Sequence, residues 1–288
     1  MKNFILASRP KTLLAGVLPP LVAYAYFMTF NQNSALPFLI LAVFGALFIQ
    51  LATNFFNDVI DFEKGADKKR VGPTRVSAAG LVDIKTVRKW AISCVFLGAL
   101  CGIPLIIRGG WPFIVLGTIS LYLTYGYTGG KISLAYRGLG ELFVFIFFGL
   151  FSVMGSFYLF SLSLSMGAFV LASIFGFLTT TFICVNNLRD RETDMEVNKM
   201  TLATKMSEKT YKLLTDATIF CPYVLLFYFK EVKLISMTLI ALIPAFKLAK
   251  IIHTKKGAEL NEGLKFSGIH LVIFSILLSF SFIYESFL

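Results

Sequence analysis

Apolar residues run through this chain in nine stretches of about 17 to 25 residues, a pattern that leaves few folds open. The stretches lie near 12–30, 35–57, 86–107, 110–129, 138–160, 164–187, 210–230, 232–249 and 266–286 of the 288 residues. In hydrocarbon a backbone must satisfy its own N–H and C=O groups, so each stretch is expected to be a membrane-spanning helix. A hydrophobic content of 57%, a charged content of 15% and a mean hydropathy of +0.77 agree with an all-α polytopic membrane protein. Residues 1–288 then form one membrane domain with no separable soluble part, and Met1 to Arg9 shows no cleavable leader, so the first stretch is expected to remain as a span.

A net charge of +11 raises the question of nucleic-acid binding. The Lys and Arg residues, however, sit at the joints between apolar stretches, which is the pattern of topology determinants and lipid-headgroup contacts. With nine spans and the N-terminus inside, all of the 27 positive residues except Arg108, Lys230 and Lys233 fall on the inner side. The expected location is therefore the cell's inner (plasma) membrane, with the N-terminus and the long charged segments 58–85 and 188–209 cytoplasmic and the C-terminus outside. No nucleic-acid partner and no obligatory protein partner are expected; membrane lipid is.

Those two inner segments carry the chemistry. Asn54, Asn57, Asp58 and Asp61 recur three and four residues apart at the inner end of the second stretch, which puts them on one helical face. About 130 residues later, Asn187, Asp190 and Asp194 do the same at the inner end of the sixth. Carboxylates and amides are hard oxygen donors suited to Mg2+, an ion usually held by one or two carboxylates together with substrate phosphates. Either cluster alone reads equally well as a solvated helix end. Together with the charged segments that follow them, they hold ten of the sixteen Asp and Glu residues, which favours one site between two membrane boundaries.

The remaining reactive side chains lie elsewhere. Cys94, Cys101, Cys184 and Cys221 sit inside apolar stretches without metal-ligand spacing, and His253 and His270 are remote from both clusters. Pro19 and Pro20 are expected to kink the first span. Tyr122, Tyr125 and Tyr127 stand near the inner end of the fourth, at the depth of the acids, as either an interfacial belt or a lining of the site.

In these residues the chain resembles the UbiA superfamily of intramembrane aromatic prenyltransferases, and within it the branch that uses 1,4-dihydroxy-2-naphthoate. The resemblance starts at Arg9-Pro10-Lys11-Thr12-Leu13 and runs through Asn57-Asp58-x-x-Asp61-x-x-Lys64-Gly65-x-Asp67 and Arg70-x-Gly72-Pro73-x-Arg75. It continues in Tyr127-Thr128-Gly129-Gly130, Gly138-x-Gly140-Glu141, Asn186-Asn187-x-Arg189-Asp190-x-x-x-Asp194 and Lys199-x-Thr201-Leu202-Ala203. Gly65, with the next carboxylate at Asp67, departs from the general superfamily motif toward the naphthoate branch. Asn198 and Met200 stand where that branch usually has Gly and a basic residue.

The resemblance implies nine transmembrane helices in a ring around a central cavity, a cytoplasmic cap, Mg2+ between the two motifs and a lateral opening for a lipid tail. The implied substrates are a polyprenyl diphosphate and an aromatic acceptor, joined with loss of diphosphate and CO2. Asp58, Asp61, Asp67, Asp190 and Asp194 are then the implied metal ligands, with Asn57 and Asn187 as amide ligands or orienters and Asn54 beside them. Lys68, Arg70, Arg75, Arg189 and Lys199 would clamp diphosphate, and Arg9 and Lys11 the acceptor's carboxylate. Tyr122, Tyr125 and Tyr127 would shield the allylic cation. Two other readings stay open at this point: a different acceptor within the superfamily, such as 4-hydroxybenzoate or homogentisate, and a secondary transporter, since intramembrane acids also mark ion pathways.

Overall fold

The computed structural model describes residues 1–30, 34–65, 72–130 and 133–286, and regular structure among them is entirely helical. A short α1 (Lys2–Ser8) leads into α2 (Pro10–Met28), α3 (Leu36–Glu63), α4 (Ile84–Gly109) and α5 (Trp111–Gly126). Then come α6 (Gly140–Ser161), α7 (Met166–Arg189), the short α8 (Arg191–Glu196) and α9 (Leu202–Lys205), and finally α10 (Glu208–Phe229), α11 (Leu234–Thr254) and α12 (Gly257–Tyr284). Eight of these are long and apolar enough to cross a membrane; α5, at 16 residues, is the short ninth segment where a full span was expected.

Element starts follow from local chemistry. Asp83, Ser165 and Ser207 accept hydrogen bonds from the Lys85, Ala168 and Thr210 amides, capping α4, α7 and α10. Pro19 and Pro20 do not end α2, which runs on to Met28. The helix α3 extends to Glu63, beyond the expected end near 57, so the whole first acidic face stays helical; it stops at Gly65, whose φ of 72° closes the end in the left-handed region.

Position in the bundle decides which helix carries what. The apolar window of α7 is 78% buried, against 22–50% for the other seven long helices, so α7 is the central element and the others face lipid on one side. On one flank α3 packs along α4, with α2 against α3; on the other α7 packs against α6 and α10. Gly149 of α6 meets Gly176 of α7 so closely that a Cβ on Gly149 would lie 2.4 Å from the Gly176 backbone. Small residues of this kind let membrane helices approach where no hydrophobic force separates protein from lipid. Around that contact, Phe145–Met154 winds as a π-helix and turns Phe147, Phe148 and Phe151 into a cavity of about 640 Å³.

Candidate active site

The cavity has two ends of different chemistry. Ile103, Ile106, Phe113, Leu121, Phe147 and Phe151 give it long apolar walls, while Asn57, Asp61, Arg75, Asn187, Asp190 and Lys199 gather at the C-terminal ends of α3 and α7.

Along α3 the four polar residues divide their work. Asp61 and Asn57 line the cavity, and the Thr128 hydroxyl donates to Asn57 Oδ1. Asp58, one residue further round, does not line it: its two carboxylate oxygens accept from the Ser77 and Val76 amides at 2.9 and 3.1 Å, and the side chain is 1% exposed. The expected ligand is a backbone anchor. It holds the returning segment so that Arg75 reaches Asp61, Nη2 to Oδ2 at 2.6 Å, and donates through Nη1 to the Asn57 carbonyl. Asn54 borders the cavity, yet its Nδ2 donates to Ser8 O at 2.8 Å and Thr12 Oγ1 at 3.0 Å. Those bonds secure the joint between α1 and α2, where Arg9 takes a φ of 49°, a conformation rare outside glycine, and lines the cavity.

The second motif starts at the end of α7. Arg189 grips Asp190 with two bonds, Nε to Oδ1 at 2.7 Å and Nη2 to Oδ2 at 2.6 Å, and reaches Asn261 Oδ1 at 3.0 Å. Asn187 Nδ2 donates to Glu141 Oε1 at 2.8 Å. On α8, Asp194 pairs with Lys199 at 3.3 Å across a turn in which Asn198 has a φ of 54°. Asparagine tolerates that region better than other side chains, so this turn is compatible with the residue at 198. Met200, in the place of a basic residue, is half exposed and outside the cavity.

Tyr136, on the turn Leu134–Tyr136, ties the two motifs together. Its hydroxyl donates to Asp61 Oδ1 at 3.1 Å, Lys64 Nζ sits 4.0 Å from its ring centre, and Lys199 Nζ sits 5.6 Å from it. Burial and the adjacent Asp61 push the phenol's pKa up, which keeps it a neutral donor. Burial lowers the Lys64 ammonium, which donates to Thr128 O at 2.6 Å. Burial, with Asp190 and Asp61 adding to it and Lys199 opposing, raises the Asp194 carboxyl to about 6.

Among the described residues no three acids stand close enough to hold a metal by themselves. The three motif acids are paired instead with cations: Asp61 with Arg75, Asp190 with Arg189, Asp194 with Lys199. Asp194 Oδ2 is nevertheless buried with no hydrogen-bond partner among the described residues, and Asp61 is near enough to raise its pKa. A hard oxygen left without a partner beside a second carboxylate suits a small divalent cation that a phosphate would help to ligate.

The tyrosine expectation is corrected. Tyr122 and Tyr125 are 59% and 45% exposed and point away from the cavity, Tyr125 onto Phe56; only Tyr127 lines it. Residues 125 and 127 are two steps apart, about 200° round a helix, so they cannot share a face. Lys11 is exposed and outside the cavity, unlike Arg9. Asp67, Lys68 and Arg70 lie outside the described residues. Sequence reasoning missed Tyr136, Thr128 and the part played by Glu141; all three stand within or between the stretches 127–130 and 138–141, which was the available clue.

The UbiA prenyltransferase family model matches residues 17–279. A 1,4-dihydroxy-2-naphthoate octaprenyltransferase from Escherichia coli is 34% identical over 208 residues, covering 69% of this chain and 67% of the relative. One from Mycobacterium leprae is 27% identical over 276 residues, 95% of this chain and 94% of that one. Among solved structures, a UbiA homologue from Archaeoglobus fulgidus bound to GPP and Mg2+ superposes with a TM-score of 0.69 over 98% of this chain and 99% of its own, at 16% identity.

Proposed function

We propose that this chain, which belongs to the UbiA prenyltransferase family, transfers a polyprenyl group from an allylic diphosphate to 1,4-dihydroxy-2-naphthoate, with release of diphosphate and CO2. The observation that carries the reading is the meeting of two acidic motifs, far apart in sequence, around Tyr136 at the polar end of an apolar cavity. The naphthoate-using relatives named above support the choice of acceptor.

Asp61, Asp190 and Asp194, with Asn187, are the side chains to hold Mg2+, which when bound would neutralise the departing diphosphate. When the diphosphate enters, its oxygens replace the acids as partners of Arg75, Arg189 and Lys199, so the site changes partners without stranding a buried charge. Lys64 and the Asn57 amide complete the donors on that side. Charge therefore builds up on the leaving group among groups already oriented to meet it. Tyr127 and the Phe147 and Phe148 rings line the adjoining wall, where an allylic cation gains from aromatic faces and is kept from water. The ring carbon bearing the acceptor's carboxylate attacks, the new C–C bond forms, and the C–C bond to the carboxylate breaks to return the electron pair to the ring. Arg9 is placed to orient that carboxylate beforehand.

The C-terminal ends of α3 and α7 are cytoplasmic in this reading, in the inner membrane, which the positive residues around them support. The test is an assay in detergent with mixed acceptors and a carboxyl-labelled naphthoate, read by mass spectrometry. Label is expected to leave as CO2 in step with diphosphate release. Retained label, or preference for 4-hydroxybenzoate, would move the chain to another acceptor; no diphosphate release at all would remove the reading.

A further inference from the structure

Asn57 and Asn187 hold matching places in the two motifs, yet their amides are gripped from opposite ends. The Thr128 hydroxyl donates to the oxygen of Asn57, whereas Asn187 donates its Nδ2 to Glu141 Oε1. Glu141 opens α6, borders the cavity and is 6% exposed. The same Oε1 accepts the Tyr211 hydroxyl at 2.5 Å, and Tyr211 is wholly buried. Glu141 Oε2 is also buried and has no hydrogen-bond partner among the described residues. A carboxylate retained in an apolar bundle with one oxygen unsatisfied is costly, and a packing role alone would be filled better by an apolar side chain.

With two donors on one oxygen, the Glu141 side can meet the Asn187 amide only through its NH2. The amide oxygen is then the atom that Asn187 can offer to a ligand in the cavity it lines. We propose that Glu141 is a positioning residue, fixing Asn187 so that its oxygen and not its NH2 serves the Mg2+ of the diphosphate site; this rests on the prenyl-transfer reading above. A hard cation binds the oxygen of an amide, and a reversed amide would present it with positive hydrogens. Thr128 does the converse: with the Asn57 oxygen occupied, its NH2 is the group left for a phosphate oxygen.

The test reads binding, not turnover: the rise in melting temperature during a Mg2+ titration with inorganic pyrophosphate, which cannot react. Glu141→Met is expected to raise the half-saturating Mg2+ concentration about tenfold. In an Asn187→Ala background the same substitution should add less than about twofold, because its effect passes through an amide no longer there. Tyr211→Phe removes the other bond to the same oxygen; it should lower the melting temperature without Mg2+ and leave half-saturation within about twofold. If Glu141→Met does not fold, Glu141→Met with Tyr211→Phe strands no hydroxyl and carries the same expectation. Unchanged half-saturation in the Glu141 variant, or an undiminished loss in the Asn187→Ala background, overturns the assignment. If pyrophosphate and Mg2+ fail to stabilise the wild-type protein, the prenyl-transfer reading falls first, and this assignment with it.

Discussion

Arg75 and Asp61 form an ion pair of 2.6 Å in which both side chains are more than nine-tenths buried. Breaking such a pair from one side leaves a buried charge without the counter-charge it is paired with. Arg75→Met should therefore cost about 3–5 kcal/mol of stability, and adding Asp61→Asn should restore much of it. Thermal or denaturant unfolding of the single and double variants checks this; a double variant no more stable than Arg75→Met would show that the pair is not the cause. Transfer activity should stay lost in both.

Asp61 and Asp194 are expected to serve one diphosphate site from two motifs. Asp61→Asn and Asp194→Asn nearly preserve volume and each should abolish prenyl transfer; Asp61→Asn also removes the charge paired with the buried Arg75, so its stability should fall and thermal unfolding is the control for folding. The double variant should be hardly worse than either, because residues acting as a unit are strongly non-additive. Product formation against Mg2+ concentration decides the matter, and a wild-type rate in either single variant would remove the joint site.

Asp194 supplies a pH dependence with a definite sign. Its carboxyl lies at about 6 in the folded, metal-free protein against an ordinary value of 3.8, so the folded state binds the proton more tightly than the unfolded one. Metal-free stability should then fall as pH rises from about 4 to about 6 and level off above that. A metal needs the ionised form, so the Mg2+ requirement should run the other way, increasing about tenfold for each pH unit below that value when a single proton competes. Asp194→Asn should flatten the stability profile between those limits; a profile identical to wild type would assign the titration to another group.

Topology can be tested by labelling. With Cys94, Cys101, Cys184 and Cys221 replaced, a cysteine at the exposed Glu192 should react only from the cytoplasmic side. One at the exposed Leu164 should react from the outside. The opposite pattern would invert the protein and detach the site from the cytoplasm.

The helices and the location of the site were legible in the sequence because both rest on patterns along the chain. Apolar length placed the spans to within several residues, and three- and four-residue spacing placed Asn57 with Asp61 and Asn187 with Asp190. Roles within the site were not legible in the same way, since they depend on segments that fold back from elsewhere. Asp58 shares a face with Asp61, but amides at 76 and 77 claim it first. Tyr136 sits on a turn too short to show any period, and its value comes from lying between Asp61 and Lys199. Tyr127 could have been separated from Tyr122 and Tyr125 by the helical angle alone.

The shortness of α5 sets a condition on the membrane itself. Sixteen residues rise about 24 Å, whereas the hydrocarbon layer is about 30 Å thick. Lipid beside α5 must thin, or the Gly109–Gly110 corner and the Thr128–Gly130 turn must enter it. Because Phe113 and Leu121 of α5 form part of the cavity wall, that strain falls on the segment that borders both the cavity and the lipid. A bilayer made of longer acyl chains would stretch this wall and no other to the same degree, so acyl-chain length becomes a control on the shape of the cavity, set by the host membrane and not by the protein.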